Sequence, residues 1–235
     1  MVAGAFCARG QVASGGIGLR NVPFNVSVPD RAGNLYFTGS AAPGDIVPTA
    51  GAVQSQPGGG VCFTTAIPVV FTRACRDAVL EKIDAQGNVV FATYLGGDTD
   101  DSGSQIALGA AGNIYVAGST GGDFPVTPGA LAPGASDKGV FLAKFSADGK
   151  RIFSTYLPGY FGGAVLAVDS AGSAYLAGGT QTDHGFVIRM KADGSAMAYN
   201  TLIAGSIGEA ILAIVADGYV THFEETTGGS TIAVK

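Results

Sequence analysis

The chain is a run of copies of one short unit, and a repeated unit limits the available folds more tightly than any single motif. The clearest copy is Asp77 to Thr120, DAVLEKIDAQGNVVFATYLGGDTDDSGSQIALGAAGNIYVAGST. Its apolar runs AVLEKI, NVVFATYL, SQIALGA and NIYVAGS have the length of strands, are rich in β-branched and aromatic residues, and are bounded by glycine-containing turn clusters. Sliding it by 62 residues lays Leu80, Gly87, Thr93, Tyr94 and Leu95 on Leu142, Gly149, Thr155, Tyr156 and Leu157. A further shift of 46 lays Gly159, Leu166 and Gly172 on Gly205, Leu212 and Gly218, and a shift of 79 lays Gly33, Tyr36 and Gly39 on Gly112, Tyr115 and Gly118. Four copies are visible. Shifts that differ while the motifs persist mean that loops of unequal length interrupt one unit, with the insertions confined to one face.

Each unit reads as an up-and-down meander. PDRAGN, GAAGN, DSAGS and VADGY join first to second strands, and DAQGN, SADGK and KADGS join third to fourth, with Gly supplying φ > 0. These tight turns share one face. The opposite face holds the links between units and the second-to-third loops: the long stretch 41–76 with its two cysteines, the segment GGDFPVTPGALAPGASDKG, and the acidic link DTDDSG. Regularity on one side and variation on the other mark the irregular face as the place for a site. Residues 206–235 supply a first, second and third strand without a fourth, whereas AFCARGQVASGG near the start reads as a fourth strand alone. A small propeller closed by pairing the two ends satisfies both and leaves no open edge. The expectation is one all-β domain over 1–235, a small β-propeller of four-stranded antiparallel blades. It has a closing strand and linker in 1–24, a blade in 25–97 carrying the Cys-containing insertion 41–76, and blades in 98–159 and 160–205. The last blade, 206–235, is completed by the N-terminus.

The succession TYLGG, DDSGS, AAGNIYVAGST, DFPVTPGA and FLAKF resembles bacterial β-propeller repeat proteins of the SBBP type, found in large exported or surface-associated proteins. The resemblance runs from about residue 12 to residue 235 and is most specific from Asp77 to Tyr156. It is weaker in the last unit, where Thr221 replaces the repeated Tyr and Glu224 the repeated Gly. It implies a propeller of four-stranded blades and a secreted, periplasmic or cell-surface location, although the start MVAGAFCARG lacks the length of a secretory signal. It transfers no catalytic residue. Because such propellers usually have more than four blades, the resemblance leaves open a small monomeric ring or one completed by further blades or a second chain.

Composition agrees with this class. With 38 glycines, 47% hydrophobic and 13% charged residues, the chain suits many tight turns and does not suit a disordered polymer. A net charge of −5 argues against nucleic acid and anionic membrane partners, and no apolar run approaches the ~20 residues of a membrane helix. A small molecule, a glycan or a protein remains as the partner. Cys62 and Cys75 flank FTTAIPVVFTRA, and a disulfide there would close a loop of about a dozen residues, worth about 3 kcal/mol. The other reading is two buried free thiols. No Cys or His spacing suits zinc.

Candidate chemistry gathers on the irregular face. Asp98, Asp100 and Asp101 in GGDTDDSGS have a spacing that can aim several hard oxygens at one Ca²⁺, although they lack the full EF-hand pattern and also suit a solvated turn. On the expected ring Asp123, Asp183, Glu209, Glu224 and Glu225 share that face, and carboxylates crowded round a channel need a cation or protons. His184, beside Asp183, is a candidate general base, and His222 in YVTHFEE is a second candidate, a structural imidazole being the plainer reading there. No nucleophile elbow or phosphate-cradling loop is present. The function expected is an exported propeller that binds a ligand or partner through the loops around its central channel. The alternative is a calcium-dependent hydrolase of a small ester or lactone, with the metal at the channel mouth.

Overall fold

The computed structural model describes residues 24–66, 69–131, 138–180, 185–203, 211–216, 221–225 and 231–234. The described elements are strands, apart from one 3₁₀ turn at Ala110–Gly112. The first sheet is the meander β1 (Phe24–Pro29), β2 (Leu35–Ala41), β5 (Asp77–Ile83) and β6 (Val89–Leu95). Between β2 and β5 lies a separate hairpin of β3 (Val61–Ala66) and β4 (Val69–Ala74). The second sheet is β7 (Asp101–Leu108), β8 (Ile114–Thr120), β9 (Gly139–Phe145) and β10 (Arg151–Pro158). The third is β11 (Tyr160–Val168), β12 (Ala174–Thr180), β13 (Gly185–Met190) and β14 (Met197–Ile203). Then come three strands, β15 (Ile211–Ala216), β16 (Thr221–Glu225) and β17 (Thr231–Val234). Every pairing among the described residues is antiparallel, so the described architecture is all-β, with sheets of the form that propeller blades take. The segment expected to close the ring, residues 1–23, lies outside the described residues.

Sheets stack by burying both faces. β7 packs on β1, β2 and β5, β11 on β7, β8 and β9, and β15 on β11 and β12. Neighbouring strand residues point to opposite faces, so Leu80 enters the core shared with the second sheet, while Val79 faces the other way, onto Ile46 and Tyr94. The middle sheet has a neighbour on each side. That is why β9, GVFLAKF, is buried from end to end and shows no polar alternation.

The repeat also explains how one sheet grips the next. Tyr36, Tyr115 and Tyr175 are buried and lie under Lys82, Lys144 and Arg189, the cation 5.0, 5.0 and 5.6 Å from the ring centre. Lys82 donates from Nζ to the Ala147 carbonyl at 3.4 Å and Lys144 to that of Ala192 at 2.8 Å, each acceptor sitting in the third-to-fourth turn of the following sheet. In those same turns a Cβ on Gly149 would lie 2.9 Å from the Phe91 ring, and one on Gly194 2.5 Å from Phe153. Both glycines also have positive φ, +83° and +74°. The tyrosine series is therefore a buried packing position, and Tyr115 Oη reaches the next sheet by donating to the Gly172 carbonyl at 2.8 Å.

Part of what the sequence presents as loop variation is itself repeated. After the second strand, segments 45–53 and 123–131 fold alike. Thr49 donates its N–H to the Ala92 carbonyl and takes the Ala92 N–H on Oγ1, and Thr127 does the same with Ser154. Ile46 and Phe124 occupy matching buried positions, with Phe124 stacked on Phe141 at 4.2 Å. These straps cover the outer edge of the fourth strand, an edge that would otherwise offer its backbone to other chains. The segment with no counterpart in the second sheet is thus 54–76.

Candidate functional site

The unmatched segment leaves the strap at Gln54, crosses the irregular face through PGGGV, forms the β3–β4 hairpin and returns at Cys75 and Arg76. The glycines permit the crossing. A Cβ on Gly58 would lie 1.9 Å from the Gly97 carbonyl oxygen, and one on Gly60 1.7 Å from that of Asp98. Gly97 is pressed in turn against the Asp123 carbonyl, 2.1 Å from where its Cβ would be. Three backbone segments, 57–60, 96–98 and 121–123, are therefore layered at the junction of the first and second sheets. Side chains would hold them apart.

The hairpin stands on a fixed base. Cys62 and Cys75 form a disulfide, with Cα atoms 5.0 Å apart. Arg73 makes a two-pronged pair with Asp100, Nη1 to Oδ1 at 2.8 Å and Nη2 to Oδ2 at 2.6 Å, and the Arg76 N–H adds a bond to Oδ1 at 2.9 Å. Arg73 holds the Asp100 carboxyl below its ordinary range. Above this base the ribbon is solvated on both faces. Phe63 is 69% exposed, Val70 57% and Phe71 56%, and Val61 and Val69 are exposed too. In register Phe63 lies opposite Thr72 and Thr64 opposite Phe71, so each face carries one phenylalanine. From sequence this stretch reads as an insertion, not as a hairpin. VCFTTA and VVFTRA, two β-branched runs about an Ile-Pro pair, were the available signal.

Beneath the base, two carboxylates are buried. Asp77 opens β5 and Asp101 opens β7, with 0% and 1% of their surface exposed. Asp77 Oδ2 accepts the Gly58 N–H at 2.6 Å and Gln54 Nε2 at 3.2 Å, and Asp101 Oδ2 accepts the Gly97 N–H at 2.9 Å. Burial pushes the Asp77 carboxyl up to about 6 and that of Asp101 up to about 7, each further raised by the other acidic groups of the junction.

The residues singled out from sequence fall into several places. Asp98 and Asp123 are exposed, Asp123 at a φ of +55° in the strap turn. Asp100 is exposed and engaged with Arg73, and Asp101 is buried. The structure thus sends three carboxylates of one link in different directions. Among the described residues, the group of three His, Cys or acidic side chains within metal-binding reach of one another is Cys62, Cys75 and Asp100, and both sulfurs are spent in the disulfide. Asp183, His184 and Glu209 lie outside the described residues, and His222, Glu224 and Glu225 stand on β16, where backbone alone is described. Asp77 was not singled out. The 62-residue shift pairs it with Gly139, and that departure from the repeat was the signal.

Stacked antiparallel four-stranded meanders with turns on one face and insertions on the other have the form of propeller blades. Residues 90–125 match the family model of the beta-propeller repeat, SBBP. The match spans β6, the link containing Asp100 and Asp101, β7, β8 and the start of the strap, so the family unit straddles two sheets. Asp77 and the segment 54–76 lie outside it. No curated protein matches the chain.

Proposed function

We propose that the chain is an exported β-propeller repeat domain that binds a partner protein through its irregular face, with the β3–β4 ribbon as the contact. One observation carries this reading: a disulfide-stapled hairpin holds two phenylalanines and three valines in solvent, where apolar side chains gain nothing by exposure. Both strands of this two-stranded sheet are also free edges, able to accept a further strand. A ribbon of Val and Phe suits an apolar protein surface better than a glycan, which needs polar groups beside its aromatic rings. The disulfide supports an oxidising compartment. The ring itself is read as closed by the N-terminal segment, a reading supported by the three-stranded count of the last sheet.

The test is a photo-crosslinking residue placed at Val70 in the native host, compared with one at Ile152, an exposed apolar residue that follows the third-to-fourth turn of the second sheet. The reading expects a discrete adduct from position 70 that disappears when Phe63→Ser and Phe71→Ser are added, each removing about 2 kcal/mol of contact. No adduct from position 70, or an equal one from both positions, rejects it.

A further inference from the structure

Asp77 and Asp101 are buried charges that the repeat does not require. By strand register Asp77, opposite Ala41, corresponds to Gly139, opposite Thr120. Asp101, also opposite Thr120, corresponds to Tyr160, opposite Thr180. The fold therefore builds the same strands without either carboxylate. Their placement is nonetheless specific. Asp77 Oδ1 and Asp101 Oδ2 both lie within 2.7 Å of the point where a Cβ on residue 96 would sit, and glycine there leaves that space to the two carboxylates.

The pair is incompletely satisfied. Oδ1 of Asp77 and Oδ1 of Asp101 are fully buried and make no hydrogen bond of ordinary geometry, and the Thr120 side chain opposite Asp101 favours its charged form without offsetting the burial. Among the described residues no lysine or arginine pairs with either group, and the guanidinium of Arg73 is committed to Asp100. Two adjacent buried carboxylates without a counter-charge are costly to fold, by several kcal/mol, unless something neutralises them. The donors at hand are oxygens. They include the Gly96 carbonyl, which shares Gln54 Nε2 with Asp77 at 3.1 Å. The sulfurs nearby are oxidised and no described histidine side chain is present. Oxygen-only donors with two negative charges select a hard divalent ion over a soft one.

We propose that Asp77 and Asp101, on either side of Gly96, form a binding site for one hard divalent cation of the calcium class. Asp77 is tied to Gln54 and Gly58, while Asp101 belongs to the link between the first two sheets. The cation therefore fastens the unmatched segment to the sheet junction and fixes the base on which the ribbon stands. The site does not depend on what the ribbon binds.

The test uses the full chain at pH 7.5, stripped with EDTA, titrated calorimetrically with CaCl₂ and with MgCl₂ and melted with and without each. One equivalent of calcium should bind, and at about a hundredfold excess over Kd the melting temperature should rise by roughly 5–10 °C. Asp77→Asn and Asp101→Asn should abolish both effects, while melting in EDTA no lower than the wild type, because the amide keeps the shape and removes the charge. Asp98→Asn, in the same link but exposed, should retain both. A wild-type chain that binds neither ion and melts identically with and without them overturns the site and leaves the pair holding a proton. So does a calcium response that survives both buried substitutions or is lost with Asp98→Asn. Saturable binding to the wild type is read directly, so the site remains testable if a variant fails to fold. A magnesium response without a calcium response overturns the calcium class.

Discussion

Gly96 shows how much one residue can decide at a sheet junction. A methyl group there would lie 2.6 Å from Asp101 Oδ2 and from Asp77 Cγ, both on buried side chains with nowhere to retreat. Gly96→Ala is therefore expected to cost about 2–3 kcal/mol, measured as a lowered urea midpoint with an unchanged slope. The carboxylates beside it make a second, opposite-signed prediction. Their folded-state pKa values, about 6 and about 7, stand above the ordinary carboxylate value of 3.8, so the native chain holds more protons than the unfolded one between these limits. Their contribution to stability is complete below about pH 4. It is lost as the pH rises through 6 and 7. In EDTA the chain should melt higher at pH 5 than at pH 8, and Asp77→Asn with Asp101→Asn should flatten that slope. A melting temperature that rises from pH 5 to pH 8 in EDTA contradicts the assignment.

Between neighbouring sheets the clasp of a third-strand cation on the next sheet's turn is the recurrent device, and its two examples differ in burial. Lys144 is 7% exposed, over the Tyr115 ring and 2.8 Å from the Ala192 carbonyl, whereas Lys82 makes an exposed, longer bond. Lys144→Met should cost about 2 kcal/mol in chemical denaturation, and Lys82→Met under about 1. Equal losses would mean that the clasp is only packing. Elements of this kind were readable because they repeat. The 62-residue shift matched β5 and β6 to β9 and β10, and the Cys62–Cys75 disulfide was one of two readings of the cysteines that flank the insertion, the one the structure bears out. The Thr49 and Thr127 straps escaped notice because Ile46 and Phe124 differ and their spacing breaks the shift used for the strands. The meeting of Asp77 with Asp101 depends on register across a sheet junction, which no local pattern encodes.

For the molecule as a whole, the three sheets of four strands and the one of three found among the described residues are the terms of the closure problem. A chain whose residues 1–16 complete the last sheet should lose stability when they are deleted, with the loss appearing first as exposure of β15–β17 in hydrogen exchange. Adding the missing segment as a peptide should restore protection there and not in the first sheet. Restoration in the first sheet alone, or no loss on deletion, would rule out this closure.

The clasp has one more consequence. Since a sheet presents a hook on its third strand and a receiver in its third-to-fourth turn, a new sheet can be spliced between two old ones without redesign of either. Lengthening such a chain is then a matter of duplication. Among the described residues the costly novelty goes into the junction of the first and second sheets, at the Asp77 end of the ribbon.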